Sequence, residues 1–170
     1  MRIILPLVLA ALVLPSPARA GEFKVASLTF TAPAAWKKAE TASPMRKAQF
    51  SVGEGDAAGE VVFYHFGPGA AGGVDANLRR WYGQFKEPED QVNAKTVKAK
   101  AGEIPVTYAS AQGTFLSGPP RGPKVEKPGY ALLAAIVEAK DGAVFIKFTG
   151  PAATVSSATA DFKNMVEGAK

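Results

Sequence analysis

Few side chains in this chain have the chemistry for catalysis or metal binding. There is one histidine, His65, and no cysteine. Thiol nucleophiles and thiolate metal sites are therefore excluded, and a histidine-based metal site, which normally uses two or more imidazoles, lacks its ligands. A catalytic His65 would need a nucleophile beside it and an acid to orient it, and the sequence has no Gly-x-Ser-x-Gly elbow. Lying between Tyr64 and Phe66 in the most apolar strand, His65 reads as a structural histidine, with a pocket ligand or pH-sensitive group as the other reading. The acids fall in turns: Glu54 and Asp56, then Glu87, Glu89 and Asp90. Glu54, Asp56 and Glu60 lack the regular spacing of a calcium loop. A carboxylate pair of the glycoside-hydrolase kind could be assembled only in space. No catalytic constellation and no cofactor site emerge, so the expectation is a protein that is not an enzyme.

Two segments could bind rather than react. Gly67-Pro68-Gly69-Ala70-Ala71-Gly72 spells G-x-G-x-x-G between a strand and a helix, and Glu87 follows at the distance of a ribose-binding acid. Pro68 removes a backbone donor from any phosphate cradle, however, and the neighbouring strands read as antiparallel, whereas this motif works in a parallel βαβ unit. A strand-to-helix connection is the plainer reading. The other is a small-anion site on the helix start, formed by the free N–H groups of Gly69, Gly72 and Gly73 with help from Arg79 and Arg80. The second segment, Ser117–Gly129, reads as an irregular loop with four prolines, three glycines and three cations, Arg121, Lys124 and Lys127, against one acid, Glu126. Long irregular loops in compact domains are often functional or disordered; this one suits docking on an acidic or flat partner surface, and a mobile loop with no partner is the equal alternative. Trp36, Trp81 and Tyr82 could line a groove, although Trp81 and Tyr82 read first as core anchors.

The elements that must position these residues follow from periodicity. Phe23–Thr31 reads as one strand, or two short ones joined near Ala26-Ser27. Arg46–Val52 alternates with period two, as a half-buried strand does. Val61–Phe66 is apolar on both faces, as in a central strand. Asp75 is placed to cap a helix over about 76–85, with Val74, Leu78, Trp81, Tyr82 and Phe85 on one face. Strands are expected over 96–101, 104–109 and 112–116, with Ser110 and Gly113 as bulge positions. Strands over 130–139 and 143–149 flank the hairpin turn Asp141-Gly142. A last helix opens after Pro151 and puts Val155, Thr159, Phe162, Met165 and Val166 on one face. Short connections make the sheet largely antiparallel, with two main helices packed on it: an α+β domain.

Residues 1–20 read as a cleavable signal peptide. Arg2 precedes the apolar run Ile3–Leu14, Pro15-Ser16-Pro17 breaks it, and Ala18-Arg19-Ala20 offers small residues for cleavage after Ala20. The run is shorter than the ~20 residues of a spanning helix, and no later segment is long enough to span once the leader is gone. Residues 21–170 then form a single domain in the periplasm or outside the cell. The full chain carries 20 basic and 15 acidic side chains; with Arg2 and Arg19 in the leader, 18 and 15 remain, a net +3. So mild an excess, without a clustered basic face, argues against nucleic acid as the partner. Lys95, Lys98 and Lys100 read as a solvated strand edge.

Element order and three phrases carry a family resemblance. Pro33-Ala34-Ala35-Trp36 is similar to the Pro-x-x-Trp that closes the first hairpin of many Mog1/PsbP-like domains, while YHFGPGAAGGVDANLRRWYGQF and VFIKFTGPAATV look like segments of uncharacterised exported bacterial proteins of that shape. Over residues 23–168 the chain resembles the Mog1/PsbP-like α/β/α sandwich. The resemblance implies the fold. Similar folds serve as photosystem assembly factors, as a small-GTPase partner and in proteins of unknown role, so no functional residue transfers with it. The expected function is an exported, non-catalytic accessory or protein-interaction domain working on an unknown envelope or extracellular protein. The alternative is a small-anion binder at Gly67–Asp75.

Overall fold

A computed structural model describes residues 21–41, 43–119 and 121–170. The expected signal peptide, 1–20, lies outside the described residues. Two short strands, β1 (Glu22–Val25) and β2 (Leu28–Thr31), pair as a separate hairpin around Ala26, which adopts a left-handed φ of 55°. The remaining strands build one seven-stranded sheet: β3 (Lys37–Lys38), β4 (Arg46–Val52), β5 (Gly59–His65), β6 (Lys95–Ala101), β7 (Ile104–Ser117), β8 (Val125–Val137) and β9 (Val144–Pro151). Its order is β3-β4-β5-β9-β8-β7-β6, and every adjacent pair is antiparallel. Helix α1 (Val74–Tyr82) connects β5 to β6, and α2 (Ala152–Ser157) and α3 (Thr159–Glu167) close the chain.

Alternation along the strands sends side chains to two separate cores. One face carries Val61, Phe63, Leu133, Ala135, Ile146 and Phe148, covered by the β1–β2 hairpin, Trp36 and α2–α3 through Phe30, Val155, Phe162 and Val166. The other carries Ala109, Ala111, Leu132, Ala134, Ile136 and Phe145, covered by α1 and the segment after it through Trp81, Tyr82, Phe85 and Val92. The result is the expected α+β architecture with helices on both faces of a largely antiparallel sheet.

Three local expectations change. First, the Ser117–Gly129 loop is mostly strand. β7 runs unbroken for 14 residues and β8 for 13, with Ser117 opposite Val125 and Phe115 opposite Lys127, so the pairing continues to Ser117 and Val125. The register slips once, opposite the expected Gly113 position: between Gly113 and Phe115 a single β7 residue, Thr114, faces two of β8, Pro128 and Gly129, so the extra residue lies on β8, whereas Ser110 pairs regularly with both neighbours. Second, α1 starts earlier than expected, and its N-cap is Gly73 rather than Asp75, which sits in the first turn. Third, the C-terminal helix is two helices, because Ala158 leaves helical geometry between them (φ −97°, ψ 6°).

Candidate functional site

The glycine-rich connection is held from below by the first turns of α1. Gly67, Gly69 and Gly72 all take positive φ (84°, 70° and 76°), which an L side chain rarely adopts. Asn77, 3% exposed, donates from Nδ2 to Ala71 O (3.1 Å) and Gly73 O (3.0 Å), pinning the loop to the first turns of α1. Arg79 and Arg80 belong to the last turn of the helix, ~9–10 Å along the axis from Gly73. Their Cα atoms thus lie a helix length from the expected N–H groups, but the Arg80 side chain reaches back to Asn77, whose amide holds the glycine loop. Arg79 faces outward beside Tyr82, Glu87 and Glu89. Glu87, which stands at ribose-acid spacing in the sequence, accepts the Thr114 N–H opposite the bulge through Oε2 (2.8 Å), and this bond holds its carboxyl below the usual range.

His65 bridges two parts of the fold. Its Nε2–H donates to Asp141 O (3.2 Å), joining the end of β5 to the β8–β9 turn. On the other side of that turn the Asp141 carboxylate accepts from Ser27 N–H (2.9 Å) and Ser27 Oγ–H (2.7 Å). Trp36 is a core residue against Phe50 and Phe148. Among the described residues no three His, Asp or Glu side chains converge as metal ligands, and no helix is long and apolar enough to cross a membrane.

The cationic segment forms the tip of a hairpin. Arg121 and Lys124 are exposed in the turn, and Lys124 Nζ donates to the Gly118 and Pro119 carbonyls. Lys127 is a strand residue with its ammonium 6.0 Å from the Tyr130 ring centre. The pairing of β6 with β7 ends at Ser110 and that of β9 with β8 ends at Tyr130, so the arm beyond those residues outruns its sheet neighbours. It is latched instead to the segment after α1. Lys86 N–H donates to Thr114 O (2.9 Å), Leu116 N–H donates to Gln84 O (2.7 Å), Phe85 packs edge-on against Phe115, and Lys86 pairs with Glu126 (2.8 Å).

Between that arm, α1 and the β4–β5–β9 part of the sheet lies a cleft that sequence reasoning missed. Helix α1 covers the sheet over β7–β9 and leaves a polar strip beside it. Lys147 of β9 stands at the boundary, opposite Val62 in the register. Its Nζ donates to Gln84 Oε1 (2.6 Å) and lies 5.2 Å from the Phe115 ring centre. Desolvation lowers its pKa to about 8. The cleft has two lobes. One, about 170 Å³, is walled by Tyr64, Phe66, Trp81 and Phe145, with Arg80, Asn77 and Gln84 at its polar side. The other, about 140 Å³, is polar and reaches Arg46, Glu60 and Thr149. Glu60 Oε1 is already engaged, accepting from Arg46 Nη1 (2.9 Å) and Gln49 Nε2 (2.7 Å). Arg80 Nη1 donates to Asn77 Oδ1 (2.9 Å). Of the residues singled out in sequence, Arg80 and Trp81 reach this cleft; Gly69, Gly72, Gly73 and the hairpin cations do not line it.

No family model matches the chain, and no curated protein matches it in sequence. Solved structures do match in shape. The solution structure of cyanobacterial PsbP (CyanoP) from Synechocystis sp. PCC 6803 superposes with a TM-score of 0.54 at 12% identity, covering 92% of this chain and 94% of that one. A Pseudomonas aeruginosa protein of unknown function, PA94, reaches a TM-score of 0.48 at 11% identity over 88% of this chain and 95% of its own. At 12% identity the likeness to the cyanobacterial PsbP is one of fold and not of activity: the chain has a Mog1/PsbP-like α+β fold.

Proposed function

We propose that residues 21–170 are an exported, non-catalytic accessory domain that binds an acidic partner surface with the tip of the β7–β8 hairpin. The observation that carries this reading is the arm itself, which outruns both neighbouring strands and is braced from one side by the 84–87 segment. A braced arm loses little conformational freedom on docking, which favours affinity at a small contact. Its tip presents Arg121 and Lys124, with Val125 at 59% exposure as an apolar contact beside them. Paired cations there would steer an acidic surface and make association depend on salt.

The test is capture of partners from the native envelope fraction with residues 21–170 as bait, at low and at physiological salt. Charge reversal at the tip (Arg121→Glu with Lys124→Glu) is expected to abolish capture of a salt-sensitive partner without changing Tm. Reversal of Lys98 and Lys100 on the β6 edge should leave capture intact. If the tip variant captures the same partner as the wild type, the hairpin reading is overturned. Export is tested separately by the mass of the protein recovered outside the cytoplasm, expected to begin at Gly21. A full-length mass in that fraction would overturn the cleavable leader.

A further inference from the structure

We infer that the cleft floored by Lys147 is a binding site for a small organic anion carrying one flat apolar ring, its acid group held by Lys147 and Arg80 and its ring by Phe66, Trp81 and Tyr64. This is a different place and a different ligand class from the hairpin tip and from the Gly67–Asp75 connection. The charge of the cleft selects an anion. Lys147, Arg80 and Arg46 face it with a single carboxylate, Glu60, and Glu60 is engaged by Arg46 and Gln49. An ammonium has three donors, and Lys147 gives one of them to Gln84 Oε1. The Arg80 fork is oriented through Nη1 by Asn77, whose own amide is tied to the glycine loop, so the guanidinium is positioned before any ligand arrives.

The walls select the rest of the molecule. Tyr64 and Phe66 stack (6.2 Å between centres, 12° between planes), Phe66 lies 6.1 Å from Phe145, and Trp81 meets Phe145 edge-on at 6.4 Å. Phe66 is 41% exposed at the mouth, and a ring laid against it removes apolar surface from water. The aromatic lobe, about 170 Å³, is well below the ~300–1,000 Å³ of sites for drug-sized ligands, which limits the occupant to about one ring. A desolvated ammonium facing a neutral amide is also a costly way to fill space that methionine would fill without charge, so retention of the charge suits a ligand better than it suits the core.

The experiment titrates the 15N-labelled domain, residues 21–170, with benzoate, benzamide and inorganic phosphate, following amide and Trp indole resonances. Benzoate is expected to bind at least tenfold more tightly than either of the others, with shifts centred on Phe66, Gln84 and the Trp81 indole. Lys147→Met should weaken benzoate at least tenfold, and Arg80→Gln, at an exposed position that leaves folding intact, several-fold; Lys98→Gln should have no effect. Equal binding of benzamide would make the site merely apolar, equal binding of phosphate would make it a plain anion site, and either result overturns the proposal. So does unchanged benzoate affinity in Arg80→Gln or in a folded Lys147→Met, or the absence of any benzoate shift in the cleft. None of these outcomes touches the hairpin reading, which is measured on a different partner.

Discussion

At the scale of single residues the chain concentrates its cost in Lys147 and Gly142. A lysine whose folded pKa is about 8 against an ordinary 10.5 disfavours the folded state whenever it is charged. The penalty is fully present below pH 8 and is relieved as pH rises toward 10.5, because over that window the unfolded chain binds the extra proton. Tyr64, Tyr82 and Tyr108 have raised pKa values from burial, so they act in the opposite direction, but only above pH ~10 where free tyrosine ionises. Between pH 7 and 9.5 the wild type should therefore gain stability relative to Lys147→Met, by about 2 kcal/mol in paired urea titrations; parallel curves would remove the desolvated ammonium from the account. Gly142 is costly to replace for steric reasons. Its φ is +112°, and a Cβ would lie 2.7 Å from Gly67 C and 2.8 Å from Gly67 O. Gly142→Ala should lose about 2–4 kcal/mol, and a loss under 0.5 in the same titrations would mean that the two turns do not touch. Asp141-Gly142 was legible as a turn because the dipeptide is a local signal. Lys147 was not, since a polar residue at alternate positions of Val144–Thr149 reads as solvent-facing; only the placement of Gln84 and Phe115, 63 and 32 residues away in the chain, makes it internal. Asn77 hid in the same way, as a polar residue in a helix whose partners are loop carbonyls.

At the scale of elements the β7–β8 hairpin decides what the molecule can present. Prolines and glycines across 117–129 suggested an irregular loop, yet Pro128 tolerates its strand position: it lies in the register gap between Lys127 and Tyr130, where the pairing skips, so its missing N–H costs the ladder nothing. Local composition locates a turn well but cannot reveal how far two strands pair before reaching it. The bulge that makes the gap is built with the 84–87 segment. Gly113 leaves room for Glu87, whose Oε2 would lie 2.7 Å from an added Cβ, and Glu87 in turn satisfies the Thr114 N–H. Glu87→Ala removes that acceptor, so hydrogen exchange at Thr114 and Leu116 should accelerate at least tenfold while β8–β9 amides keep their protection. Unchanged exchange at Thr114 would mean that the arm is braced by its own pairing alone. The low pKa of Glu87 adds a pH signature: its bond to Thr114 is intact above the ordinary carboxylate range and is lost as pH falls through the lowered value, so arm exchange, corrected for intrinsic rates, should rise in acid before the rest of the sheet opens.

For the molecule as a whole, one sheet serves two cores that share no side chains, and the question is whether they are one cooperative unit. The layering is legible in part from sequence, because β5 and the Ala131–Val137 stretch of β8 are apolar on both faces and so must be covered twice, whereas β9 alternates and reads as covered on one face only. The β1–β2 hairpin is held by Ser27 on Asp141 and by Thr29 and Lys170, whose N–H groups each donate to the other's carbonyl (2.8 and 3.2 Å). Because both cores use opposite sides of the same strands, losing either exposes the backs of β5, β8 and β9 and leaves the other without a floor. Phe162→Ala, in the fully buried centre of one face, should cost about 3–5 kcal/mol and lower the stability of the opposite face by the same amount. The two tryptophans make this measurable, since Trp36 belongs to one core and Trp81 to the other. Single-tryptophan variants, Trp36→Phe and Trp81→Phe, should each unfold in one transition whose fluorescence midpoint matches that from circular dichroism. Phe162→Ala should shift the midpoint equally in both backgrounds. A shift seen by Trp36 and absent at Trp81 would separate the faces into two units, and would mean that the cleft beside Trp81 can stay folded while the helical C-terminus comes away.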